Sequence, residues 1–147
     1  MNKKGFSLIE IMIVVVVVAI IAAIAIPAYT GYMTRTRRAD AITALETVAL
    51  YEEKYFAENN NYVDLATLIG PPRNYPNPST SNYLIAATPQ NGGTAFFASA
   101  TPINAQANDI VNGNLLIFAI DNNGNRGTSN GAGGVAANIN LWNSLRP

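Results

Sequence analysis

The sequence predicts an α+β fold in which a long N-terminal helix packs on an antiparallel sheet of three or four strands. Three observations carry this reading. An apolar stretch near the N-terminus is long enough to cross a bilayer. The residues that follow, 30–58, repeat their apolar positions at helical spacing. Beyond residue 81, β-forming runs alternate with Asn and Gly turns.

The apolar stretch comes first. Ile11 to Ile26 is an unbroken run of 16 apolar residues, halted by Pro27. Counted from Phe6 to Tyr29 it is 24 residues long with one charge, Glu10. A bilayer-spanning helix needs about 20 predominantly apolar residues. Val14 to Val18 are five β-branched residues, which lean towards strand in water. In lipid every backbone polar group must be satisfied within the segment, so a lone span is helical. Residues 6–29 are therefore expected to form a membrane stem.

Past Pro27 the helix is expected to continue with one apolar side, as the helical half of a C-terminal domain over residues 30–58. Ile42, Leu45, Val48, Ala49, Tyr55 and Phe56 recur mostly at helical spacings, with Arg38, Glu46, Glu53 and Lys54 on the opposite side. Pro27, helped by Gly31, is expected to bend the helix. Tyr29 and Tyr32 suit an interfacial aromatic belt. Arg35, Arg37 and Arg38 are expected on a solvated face, or facing acidic groups of a neighbouring molecule. Asn59-Asn60-Asn61 ends the pattern, since Asn stops a helix in a left-handed turn.

Residues 59–147 make up the loop and sheet of this domain. Over 59–81, Pro71-Pro72, Pro76 and Pro78 disfavour regular structure, while Leu65, Leu68 and Ile69 anchor the loop to the core. Strands are expected at Tyr83–Thr88, Ala95–Thr101 and Leu115–Asp121. Gly92-Gly93 suits a hairpin between the first two, and Asn122-Asn123-Gly124 a tight turn after the third. A short last strand is expected to include Ile139 and Leu141, with Trp142 packed into the sheet.

Composition excludes much chemistry. The chain has nine basic and nine acidic residues and neither Cys nor His. His-based triads, Cys nucleophiles, disulfides and the usual zinc sites are out. Asp121, Asn123 and Asn125 alternate like the start of a calcium loop, but Arg126 stands where the turn glycine belongs and no acidic residue follows. The Gly-rich stretch Gly124 to Gly134 is no phosphate loop, because no Lys occurs after Lys54. From Asn59 onward Arg73, Arg126 and Arg146 balance Asp64, Asp109 and Asp121, which does not support nucleic-acid binding. No enzyme activity, cofactor or metal is expected.

Three readings fit the N-terminus. A secretory signal peptide would use the basic residues, the apolar core and the small-residue site Ala23-Ile24-Ala25. An uncleaved anchor is the second, and Lys3 and Lys4 against Arg35, Arg37 and Arg38 do not settle its orientation. Glu10 counts against the first, because a charge at the head of an apolar core is costly. The third reading rests on Gly5-Phe6-Ser7-Leu8-Ile9-Glu10, set between a short basic leader and the apolar run, with Pro27 at its end. This motif resembles the processing site of type IV pilin precursors. The layout of sheet, Asn/Gly loop and late Trp142 is similar to the non-adhesin minor pilins of the type IVa pilus.

The resemblance implies a fold, a fate and partners. Residues 1–5 are then a cytoplasmic leader. A prepilin peptidase/methyltransferase cuts between Gly5 and Phe6 and N-methylates Phe6. Removing Lys3 and Lys4 leaves seven basic against nine acidic residues. The helix is kept, first in inner-membrane lipid and then in the core of an extracellular pilus built with other pilin subunits, an assembly platform and its ATPase. Glu10 then pairs with the Phe6 amine of a neighbouring subunit. Such a pair sets register, which bare apolar surfaces cannot, better than it adds stability. The implied function is a structural subunit, minor or major, supporting pilus assembly and pilus-dependent motility, adhesion or DNA uptake. Alternatives are a pseudopilin of a type II secretion system and a secreted binding domain released by signal peptidase. Many pilins close the C-terminal region with a disulfide, which a cysteine-free chain must replace by other means.

Overall fold

The computed structural model describes residues 5–111, 113–129, 134–136 and Trp142. The chain divides into two compact units, Met1–Arg35 and Thr36–Pro147. Helix α1, Leu8–Asn59, supplies the described structure of the first unit and the spine of the second. It ends as the Asn triplet predicts. Asn60 takes a left-handed φ of 55° and its N–H reaches the Phe56 carbonyl at 2.8 Å.

In the second unit, α1 buries Ala41, Ile42, Ala44, Leu45 and Val48. This stripe at i, i+3 and i+4 is the face that meets the sheet. The strands in chain order are β1 Tyr83–Gln90, β2 Ala95–Pro102, β3 Ile110–Val111, β4 Asn114–Leu115, β5 Phe118–Asp121, β6 Arg126–Ser129 and β7 Val135–Ala136. The main sheet is antiparallel and has five of them, in the order β1-β2-β5-β6-β7. Strands β3 and β4 form a separate ribbon. The core joins the helix stripe to Tyr83, Ile85, Phe96, Ala98, Phe118 and Ile120. Trp142 closes it, 1 % exposed and edge-on to Phe118 at 6.0 Å.

Several elements differ from expectation. The sheet has five strands rather than three or four, because the Gly-rich stretch contributes β6 and the residues just after it β7. Gly127 is buried and pairs with Ala119, so it is a strand position rather than part of a loop. The run Leu115–Asp121 is not one strand. Leu115 pairs with Ile110 in the ribbon, then Leu116 turns inward and its N–H bonds the Asp109 carbonyl at 2.8 Å. The segment 59–81 holds a short helix, α2 Leu65–Ile69, which the prolines beyond it do not prevent. Asp64 caps it by accepting the Thr67 N–H at 2.7 Å, and that bond lowers the pKa of its carboxyl. Ile139 and Leu141 lie outside the described residues.

The turns follow the sequence more closely. Asn91–Gly93 joins β1 to β2 in a short 3-10 turn. Gly93, at φ 88°, gives its carbonyl to the Tyr62 N–H at 2.8 Å, fixing the turn against the chain leaving α1. Between β5 and β6 the Asp121 carboxylate accepts the N–H groups of Asn123 and Asn125 at 2.9 and 3.0 Å. The acid that opened the calcium-like pattern thus serves its own turn.

Candidate assembly site and the polar clasp of the head

Gly5, Phe6 and Ser7 precede α1 in non-helical backbone. The Ser7 carbonyl accepts the N–H of Glu10 at 3.0 Å and of Ile11 at 3.3 Å, closing the first turn. Glu10 therefore stands in that first turn, where free N–H groups favour a carboxylate. A side chain at Gly5 would meet nothing within 4 Å, so the backbone there is open to approach. Phe6 is 80 % exposed, and every large apolar side chain from Leu8 to Ile26 is exposed with it. An apolar surface this continuous requires lipid or a protein partner.

Pro27 lies inside α1, which continues through it. Proline has no N–H for the carbonyl one turn earlier. The Thr30 hydroxyl donates to the Pro27 carbonyl at 2.9 Å, and Thr34 donates to the Thr30 carbonyl at 3.1 Å. Two back-bonded hydroxyls thus follow the proline.

The second unit holds a buried polar cluster that sequence periodicity did not reveal. Arg38, expected on the solvated side, is half-buried and forms a two-point ion pair with Asp109. Its Nε donates to Asp109 Oδ2 at 2.8 Å and its Nη2 to Oδ1. The Tyr83 hydroxyl donates to Oδ2 at 3.1 Å, and the Gln106 amide reaches the same oxygen at 3.2 Å. The bond to Asp109 raises the Arg38 pKa, and burial pushes the Tyr83 phenol up to about 12. The cluster fastens the segment before β3 to α1 and β1. Its signal in the sequence was slight: Asp109 is an isolated acid with no regular element to orient it.

A second unforeseen group is Glu52, fully buried on α1. Its Oε2 accepts the Val63 N–H at 3.2 Å, while Oε1 has no partner among the described residues. Burial pushes its carboxyl up to about 7, and the nearby Asp64 and Glu53 act in the same direction.

Residues 1–26 match the prokaryotic N-terminal methylation motif. Residues 27–111, more than half of the chain, match the family described as type IV minor pilin ComP, DNA uptake sequence receptor. The chain belongs to the type IV pilin family. It is similar to the type IV major pilin protein PilA of Myxococcus xanthus (strain DK1622), 40% identical over 67 residues. That match spans 46% of this pilin and 30% of the relative. A solved type IV pilin from Shewanella oneidensis is 25% identical, with a TM-score of 0.45, over 63% of this pilin and 88% of that chain. Pilins are structural subunits rather than enzymes, and their partners in the filament are other pilin subunits. The apolar helix and the motif ahead of it fit a membrane-anchored precursor of a pilus.

Proposed function

We propose that this pilin is stored in the bacterial inner membrane, cut between Gly5 and Phe6, N-methylated on Phe6 and polymerised through α1, chiefly as a minor subunit. The observation that carries this is the exposed apolar surface of α1, with a single carboxylate in its first turn directly after Gly5-Phe6. Residues 1–5 are then the leader, 6–29 the stem, 30–58 the helix of the head and 59–147 its loop and sheet. Cleavage gives Glu10 the cationic partner that a carboxylate in apolar surroundings needs. Pro27 gives the stem a place to bend. The peptidase/methyltransferase, the assembly platform and its ATPase are the partners this life cycle requires.

The N-terminal mass of the mature protein, taken from membranes and from sheared surface fibres, tests the reading. A methylated Phe6 terminus in the fibres supports a processed, assembled subunit. A chain beginning at Ile26 overturns it in favour of a secreted domain. A methylated chain absent from surface fibres favours a pseudopilus.

DNA uptake is a second reading, favoured by the description of the matching family. The head's charges weigh against a broad duplex footprint. Arg38 pairs with Asp109, Arg73 with Glu58, and Lys54 lies 5.0 Å from the centre of the Tyr75 ring. Salt-dependent duplex binding by sheared fibres would support DNA uptake, because each phosphate contact adds to the salt slope.

A further inference from the structure

We infer that the head carries a binding groove for a neutral oligosaccharide, between the outer side of α1 and the loop that precedes β1. The groove has a volume of about 540 Å³. Small-ligand sites occupy roughly 300–1,000 Å³. This ligand class goes beyond the structural role proposed above.

Its floor is one face of three helical turns, carrying Asp40, Thr43, Thr47 and Tyr51. Its wall is the loop from Pro76 to Ser81. That wall is held at both ends. The Tyr75 ring stacks on Tyr51 with centroids 4.6 Å apart, and the Tyr75 N–H bonds the Leu68 carbonyl at 3.2 Å. At the other end the Tyr83 N–H donates to the Thr80 hydroxyl at 2.9 Å, and the Asn104 amide donates to the Ser81 carbonyl at 2.7 Å. Pro76 and Pro78 fix two backbone torsions between these anchors. Little conformational freedom remains to be lost on binding.

The chemistry of the lining selects the ligand. Thr43 and Thr47 spend their hydroxyl protons on the carbonyls of Ala39 and Thr43, at 3.0 and 2.8 Å. Their oxygens are thereby left to the groove as acceptors only. Asp40 is exposed and adds a carboxylate with no partner among the described residues. Ser79 and Ser81 supply hydroxyls, and the Asn77 amide nitrogen remains available after its oxygen accepts the Ser79 N–H at 3.0 Å. Tyr51, its ring stacked on Tyr75, closes one end of the groove with an aromatic body. No Lys or Arg lines the groove, and its one charge is negative. Phosphates, nucleic acids and acidic sugars are thereby disfavoured. A neutral polyol, whose hydroxyls can donate to Asp40 and the threonines, fits.

The test uses the full chain in a detergent without sugar headgroups. The probes are neutral oligomers of glucose, galactose, mannose and N-acetylglucosamine, with sialylated and sulfated sugars and single-stranded DNA beside them. The expected result is binding of at least one neutral oligomer, weakened tenfold or more by Asp40→Ala and by Thr47→Val. Arg126→Ala, outside the groove, should leave it unchanged. Asp40 and Thr47 lie off the buried stripe, and Trp142 fluorescence checks that both variants fold. The inference is overturned if no neutral oligomer binds at millimolar concentration. It is equally overturned if Asp40→Ala and Thr47→Val bind as well as the parent, or if charged sugars or DNA bind in preference.

Discussion

Arg38 and Asp109 stand 71 residues apart and meet through two parallel hydrogen bonds, one of them 2.8 Å long from Nε to Oδ2. Fork-on-carboxylate geometry of this kind is directional as well as strong. The pair ties the irregular half of the head to its helix. Asp109 also accepts from Tyr83 and Gln106, so one carboxylate organises three donors from three segments.

Removing that carboxylate should therefore cost more than removing any one donor. Asp109→Ala leaves a half-buried guanidinium and the buried Tyr83 hydroxyl without their acceptor, and the Gln106 amide with only the Tyr83 oxygen. We expect a loss of about 3 kcal/mol, the scale found when one member of a buried ion pair is deleted. Tyr83→Phe gives up a single hydroxyl and should cost about 1 kcal/mol. Urea titrations of the detergent-solubilised chain, followed by Trp142 fluorescence, measure both. Equal losses would show that Asp109 is not the hub.

Glu52 makes the head sensitive to pH. Its carboxyl is raised from 4.5 to about 7 by burial, so the folded state holds the proton more tightly than the unfolded chain. This contribution is complete below pH 4.5 and is lost as pH rises through 7. The parent should lose roughly 3 kcal/mol between pH 4.5 and 8, because holding one extra proton is worth about 1.4 kcal/mol for each pH step between the two values. Glu52→Gln should flatten that slope and be the more stable protein at pH 8. Asp64 acts oppositely and elsewhere. Its pKa is lowered, so its share is lost only as pH falls below 3.8. A slope that survives in Glu52→Gln would assign the effect to another group.

Two glycines at positive φ separate backbone strain from crowding. Gly124, at φ 75°, has open space where a side chain would stand. Gly93, at φ 88°, would set a new Cβ 3.4 Å from both Asn61 Cβ and the Tyr62 carbonyl oxygen. Gly124→Ala should cost about 1 kcal/mol, the left-handed penalty alone. Gly93→Ala should cost more, because its Cβ would stand at contact distance from Asn61 and Tyr62, which limits how far the turn can relax to relieve the strain. Thermal melts of the two variants side by side decide it. The reverse order would mean that the β1–β2 turn yields more easily than its packing suggests.

Glu10→Ala should still be cut after Gly5, because the cleavage site itself is unchanged. Its incorporation into surface fibres should fall well below that of the parent, as apolar stems lacking the charge pair lose their register. Immunoblots of membrane and sheared fractions report both steps. Full incorporation of Glu10→Ala would refute the charge-pair account of assembly.

The elements with strong periodicity were readable in advance. The apolar run, the stripe through Ile42, Leu45 and Val48, and the two long strands flanking Gly92-Gly93 all lie where the pattern put them. The short elements were not. A two-residue strand such as Ile110–Val111 has no period to detect, and it exists because its partner Asn114–Leu115 folds back on it. Gly127 looked like loop composition, yet it is a buried strand position. Arg38 was expected on the solvated side of the helix, and nothing in the pattern singled out Glu52. Their partners, Asp109 and the Val63 N–H, come from irregular segments whose path no local rule fixes. The N-terminal motif was legible because its chemistry lies in consecutive residues.

A head without a single thiol, clasped by Arg38 and Asp109, has no disulfide to form or to break. Its folding need not wait for an oxidase. Dithiothreitol should leave the folded head untouched. For a pilus subunit, the schedule of folding then includes no disulfide step.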